Sequence, residues 1–114
     1  MALKILLDEC LPRKLKRELA DYNVQTVQEA GWSSKKNGEL LRLMVGVFDV
    51  FITVDSNMSY QQNLEGISIR FIVLVAHNNR IESLLPLMPH VREALLNAEI
   101  GQVVMIDENF QSPL

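Results

Sequence analysis

A chain of 114 residues, 48% hydrophobic and 22% charged, has the make-up of one globular domain. No apolar stretch approaches the ~20 residues of a membrane span, and residues 1–4 are not a charged leader before a long apolar core, so neither a membrane anchor nor a secretory signal is expected. Cys10 is the only cysteine, which rules out an internal disulfide and fits a reducing, cytoplasmic setting.

The net charge of −3 argues mildly against a nucleic-acid partner. Its distribution is more informative. Residues 1–48 carry eight Lys/Arg and six Asp/Glu, whereas residues 49–114 carry three and eight. The cations gather at Arg13-Lys14, Lys16-Arg17 and Lys35-Lys36. A solvated helix face accounts for such clusters as readily as a binding surface does.

The chain opens with Leu3-Lys4-Ile5-Leu6-Leu7, an apolar run that ends in Asp8-Glu9 and reads as a buried strand. Pro12 suits a first helical turn, and Leu11, Leu15 and Leu19 recur at a spacing of four, the stripe of an amphipathic helix. Asp21-Tyr22-Asn23 is a turn and residues 24–27 a second strand. Gly31 breaks the chain, and residues 32–36 form a polar loop anchored by Trp32. Ser34 or Asn37 is suited to cap a helix over 38–47, with Leu40, Leu41, Met44 and Val47 facing the core. Residues 51–54 make strand three and 70–75 strand four, on either side of a polar loop at 56–66. Residues 80–98 are helical, but Pro86 and Pro89 require a kink or two short helices. After Gly101, residues 103–106 make strand five. Residues 1–107 are read as one domain and 108–114 as a tail that frays at its end.

Helices alternating with apolar strands specify a three-layer α/β/α sandwich around a mostly parallel five-stranded sheet. The order 2-1-3-4-5 makes strands one and three neighbours. It also opens a crevice at their carboxyl ends, where α/β sheets take ligands.

Asp8 and Asp55 each end a strand at that edge, and Glu39 lies in the first turn of the helix after strand two. Clustered carboxylates repel one another, and a divalent cation relieves the repulsion. Mg²⁺ and Mn²⁺ prefer such oxygen ligands and promote phosphodiester hydrolysis. The plainer alternative is that Asp8 caps the first helix and Asp55 caps the turn after strand three. Glu9 and Asn57 are candidate supports, Asn57 through a metal-bound water. Tyr60 is placed to stack on an unpaired base. Gln61, Gln62 and Asn63 follow it, although a loop satisfying its own backbone explains them equally well. Arg13, Lys14, Lys35, Lys36 and Arg80 flank the same edge and suit a phosphate backbone. His77 and His90 have no partners at ligand spacing and read as structural, and Cys10 reads as a small packing residue.

Three segments carry a resemblance: Lys4-Ile5-Leu6-Leu7-Asp8-Glu9-Cys10-Leu11-Pro12, Lys36-Asn37-Gly38-Glu39-Leu40-Leu41 and Phe51-Ile52-Thr53-Val54-Asp55-Ser56-Asn57. Together they resemble the compact PIN-like proteins, over nearly the whole chain. The resemblance implies a Mg²⁺- or Mn²⁺-dependent endoribonuclease with Asp8, Glu39 and Asp55 as metal ligands. It also implies RNA as substrate, an antitoxin protein as partner if the chain is the toxin of a toxin–antitoxin pair, and a homodimer by analogy. The chain departs from the pattern twice. Asn57 stands where PIN nucleases add a fourth acid, and Asn37 where relatives often carry an aspartate. Both changes remove negative charge and favour an alternative: a catalytically weak or inactive PIN-like module that binds a partner protein or nucleic acid. A receiver-type phosphoacceptor shares the acids but needs a hydroxyl residue after strand four and a lysine after strand five. Ala76-His77 and Asp107-Glu108 occupy those places, and no lysine follows Lys36.

Overall fold

Short runs of β-branched, leucine and aromatic residues, too apolar to leave either face in water, become the strands. The computed structural model describes residues 3–55, 68–97 and 103–109. In it, β1 (Lys4–Leu7), β2 (Asn23–Thr26), β3 (Val50–Thr53), β4 (Arg70–Leu74) and β5 (Val103–Ile106) pair into one sheet of order β2-β1-β3-β4-β5. Every pairing is parallel, so the expected order holds and the sheet is fully rather than mostly parallel.

Side chains alternate across a strand with a period of two, and here the alternation divides the core in two. Ile5 and Leu7 of β1, Val50 and Ile52 of β3, and Ile72 and Leu74 of β4 face one side. They meet Leu15 and Leu19 of a 3-10 helix (Arg13–Leu19) and residues of a later helical stretch, Leu84, Leu87, Met88 and Val91. Leu6, Phe51 and Phe71 face the other side and meet Leu40, Leu41 and Met44 of α1 (Asn37–Met44). The Phe51 and Phe71 rings meet edge to face at 6.4 Å. Each fully buried Leu, Ile or Phe contributes on the order of 1.5–3 kcal/mol, which is why both layers close onto the sheet.

Four local features differ from the expectations. The helix after Pro12 is a 3-10 rather than an α-helix, opening with the Leu15 N–H donating to the Pro12 carbonyl at 3.1 Å. Seven residues is long for that geometry, and burial of Leu15 and Leu19 holds it. Lys36, not Ser34 or Asn37, is the N-cap of α1, with no side-chain hydrogen bond. Helix α1 stops at Met44, and Val47, expected in the core, is 47% exposed. The chain leaves the helix at Val45, whose ψ is 127°, and Gly46, with φ of +83°, completes a turn closed by the Val47 N–H on the Met44 carbonyl at 3.0 Å. The prolines act as expected. The 80–98 stretch divides into α2 (Ile81–Leu84), a 3-10 turn (Leu85–Leu87) that contains Pro86, and α3 (Met88–Asn97), with Pro89 in its first turn.

Helix α3 is tied back to the 3-10 helix by one arginine. Arg92 donates to both oxygens of Asp21 at 2.7 Å and to the Glu18 carbonyl at 3.0 Å, and it lies over the Tyr22 ring at 5.7 Å. The hydrogen-bonded guanidinium holds the Asp21 carboxyl below its ordinary range. Among the described residues, no helix is long and apolar enough to cross a membrane.

A Cβ at Gly46 would meet nothing within 4 Å, so Gly46→Ala incurs only the backbone penalty. Urea unfolding should show a loss of about 1–2 kcal/mol. No loss would mean that the turn after α1 does not depend on Gly46.

Candidate functional site

The site follows from register. Leu6 pairs with Phe51 and Leu7 with Ile52, and the Asp8 N–H extends the ladder to the Ile52 carbonyl at 3.0 Å. Asp8 therefore comes level with Thr53. Two-residue periodicity puts Asp8 on the side of Leu6, and Thr53 and Asp55 on the side of Phe51. Those are the same side of the sheet, the one that α1 covers.

Thr53 links the Asp8 carboxylate to the backbone of Asp55. It is 0% exposed. Its hydroxyl donates to Asp8 Oδ2 at 2.6 Å and accepts from the Asp55 N–H at 2.9 Å. A charge-assisted hydrogen bond of that length is strong. Asp8 Oδ1 accepts from the Glu9 N–H at 2.8 Å. Each carboxylate oxygen keeps further lone-pair capacity toward the crevice. Thr53 was absent from the residues expected from sequence. The signal was its position two residues before Asp55 in a strand, which gives the two a shared face.

The amide of Asn37 reaches Asp55 Oδ2 at 3.4 Å, a long contact. Asn37 thus stands beside the acid as a neutral donor. Residues two apart on an α-helix point about 200° away from each other. With Asn37 facing Asp55, Glu39 is carried outward. Its carboxylate pairs with Lys35 at 3.0 Å, and its side chain is 47% exposed. Glu9, the expected support, uses a carboxylate oxygen to accept from the Ser34 N–H at 3.3 Å, bracing the loop before α1.

Cys10 lies beside this centre, half-buried. Burial first and the Asp8 carboxylate second push its thiol above the ordinary value, against smaller opposing contacts from the Val54 backbone and the Thr53 hydroxyl. Both causes disfavour the thiolate, which is the reactive form of a cysteine.

Among the described residues, no three His, Cys, Asp or Glu side chains lie close enough to hold one ion. Asp8 and Asp55 share the centre through Thr53, and Glu39 stands apart from them on Lys35. A cage of three carboxylates is not formed by these side-chain positions. Two hard carboxylates do suit Mg²⁺ and Mn²⁺, since Mg²⁺ commonly takes one or two of them and completes its octahedron with water and phosphate oxygens. Asn57 and Tyr60, and the run Gln61-Gln62-Asn63, lie outside the described residues.

The expected cations divide into two groups. Arg13, Lys14 and Arg80 line one open groove, which Lys16 and Arg17 also line. Lys35 and Lys36 stand instead on the loop leading into α1, with Lys35 held by Glu39. Comparison with protein-family models, curated proteins and solved structures finds no match.

Replacing Thr53 by valine keeps its shape and removes both hydrogen bonds. Chemical denaturation should report a loss of ~1–3 kcal/mol, and Thr53→Ser, which keeps the hydroxyl, should lose less than Thr53→Val. Unchanged stability in Thr53→Val would show that the hydroxyl does not hold the two acids.

Proposed function

We propose that this chain is a Mg²⁺- or Mn²⁺-dependent phosphodiesterase acting on RNA, with Asp8 and Asp55 as the carboxylates that hold the cation. The observation that carries this is a buried hydroxyl that binds the Asp8 carboxylate and the Asp55 backbone, setting both residues at the switch point of a parallel sheet, with a cationic groove between the segments that follow β1 and β4. A bound divalent cation supplies charge stabilisation and an acidified water at a scissile phosphate. The protein's own part is positional. Thr53 fixes the Asp8 carboxylate on one side and the Asp55 backbone on the other. Glu39 joins the acids only by leaving Lys35. The resemblance to PIN nucleases supports the same assignment, with an antitoxin as the protein partner of such a nuclease.

One observation favours a second reading, a non-cleaving module that binds a partner protein or nucleic acid. The Asn37 amide occupies an acceptor site on Asp55, and Glu39 is already paired. Both features lower the negative charge offered to a cation.

Two measurements separate the readings: calorimetric titration with MnCl₂, and cleavage of a 5′-labelled RNA oligonucleotide. The wild type should bind Mn²⁺ and cleave, and Asp8→Asn should abolish cleavage. Asn37→Asp should tighten Mn²⁺ binding by about tenfold, the scale of effect expected for groups that contact metal ligands. Equal cleavage by wild type and Asp8→Asn would reject the phosphodiesterase. Absence of both Mn²⁺ binding and cleavage in the wild type would leave the non-cleaving module.

A further inference from the structure

We infer that the groove between the 3-10 helix and the start of α2 is a binding track for the phosphate backbone of single-stranded RNA, distinct from the carboxylate centre and independent of metal. The inference deepens the phosphodiesterase reading by stating where its substrate lies, and it rests on that reading only for the direction in which the strand runs.

The groove is open and about 1020 Å³ in volume. Among the described residues, its walls bring five cations, Arg13, Lys14, Lys16, Arg17 and Arg80, against one carboxylate, Glu82. Lys16 is committed to Glu29, which it meets at 2.8 Å. Among the described residues, the other four cations have no ion-pair partner. Four unpaired cations in one groove have no structural role to account for them. They are more telling because the chain as a whole is net negative. A cleft of one charge sign on a protein of the other focuses the field and draws a polyanion to that place alone.

The groove is also built rather than incidental. Its two walls come from the segments that follow β1 and β4. The Asn79 amide donates to the Cys10 carbonyl at 2.8 Å and joins those segments. Arg92 anchors the far end of the 3-10 helix through Asp21 and the Glu18 carbonyl. Cys10 also contacts Asp8 and Thr53, so the strand-end segment that leads into one wall of the track also adjoins the carboxylate centre, while the 3-10 helix itself packs on the opposite side of the sheet from Asp8. A strand lying on Arg13 and Arg17 reaches Asp8 by passing over the strand ends at Cys10.

Among the described residues, the groove is lined by cations and no aromatic side chain, which suits contact with the backbone over base stacking. Binding should therefore be independent of sequence and steeply dependent on salt. A single strand is favoured over a duplex because the half-buried acids past Cys10 lie in a strand-end crevice, where one flexible backbone enters more easily than a paired helix.

The test is fluorescence anisotropy with a 5′-fluorescein 20-mer of oligouridine, in EDTA, across a NaCl series. The double variant Arg13→Gln/Arg17→Gln and the single variant Arg80→Gln should each weaken binding by at least tenfold and threefold, respectively. The double variant should flatten the slope of log K against log salt by about 1.4, or 0.7 for each lost phosphate contact. Lys4→Gln/Arg42→Gln, which removes the same charge from exposed side chains outside the groove, should change binding less than twofold. All substituted side chains are exposed, and circular dichroism checks that each variant keeps its fold. Equal losses in the two double variants would overturn the inference, because the effect would then be general surface charge. Binding to phosphatidylserine vesicles without binding to oligouridine would also overturn it and assign the groove to a lipid surface. EDTA makes the readout blind to the cation. A chain that binds oligouridine here but takes up no Mn²⁺ would sink the carboxylate reading and leave the track standing.

Discussion

The pairing of β1 with β3 governs the rest of this structure. The two strands lie 45 residues apart at the contact of Asp8 with Thr53, and parallel pairing brings their carboxyl ends to one edge. A one-residue slip of register would move every side chain of one strand to the opposite face. Ile5 and Leu7 would then turn toward α1, and Leu6 toward the 3-10 helix and α3. With both faces packed by leucines and phenylalanines, such a slip would disrupt two cores at once. The apolar core thereby fixes the relation between two polar groups beyond the strand ends, and the placement of Asp8 against Thr53 is a by-product of hydrophobic packing.

Around that edge, charge is sorted by element. The carboxylates follow the two central strands. The cations collect on the segment after β1 and at the start of α2, with Asn79 holding the two segments together. Opposite charges so close would collapse onto one another if the side chains could reach. Here the Asp8 carboxylate is satisfied locally by Thr53 and the Glu9 backbone, and Asp55 has the Asn37 amide. Among the described residues no ion pair joins either acid to the groove cations, which leaves those cations available to an anion from solution. On the proposed reading, the same neutral donors would compete with a bound cation for the carboxylate lone pairs, so the cation would be held weakly and exchangeably.

The sheet was legible in the sequence because its signal is strong and local. Runs such as Phe51-Ile52-Thr53 and Phe71-Ile72-Val73-Leu74 have only one way to bury both faces, and a switch between strands one and three is what brings Asp8 toward Asp55. Pro86 and Pro89 likewise announced the break before α3. What escaped depended on angle rather than identity. Glu39 was placed by its position in a first turn, but the orientation of α1 put Asn37 over Asp55 and swung Glu39 out to Lys35. Val47 lost its place in the core to the turn at Val45 and Gly46; the dihedral preference of the glycine was readable, while the residue at which the helix ends was not. Thr53 was hidden by chemistry: a threonine in an apolar run reads as a strand former, and its role becomes visible only when Asp8 arrives opposite it. The shared groove of Arg17 with Arg80 required a tertiary contact that no spacing encodes.

The central claim is that Asp8 and Asp55, set by the β1/β3 register, form one cation site. A crystal soaked in MnCl₂, with anomalous data collected near the manganese edge, tests it most directly. The account predicts an anomalous peak within coordination distance of both carboxylates, about 2.0–2.2 Å from an oxygen of each, as octahedral oxygen ligation requires. A peak elsewhere on the acidic second half of the chain, with none at Asp8 and Asp55, would contradict it.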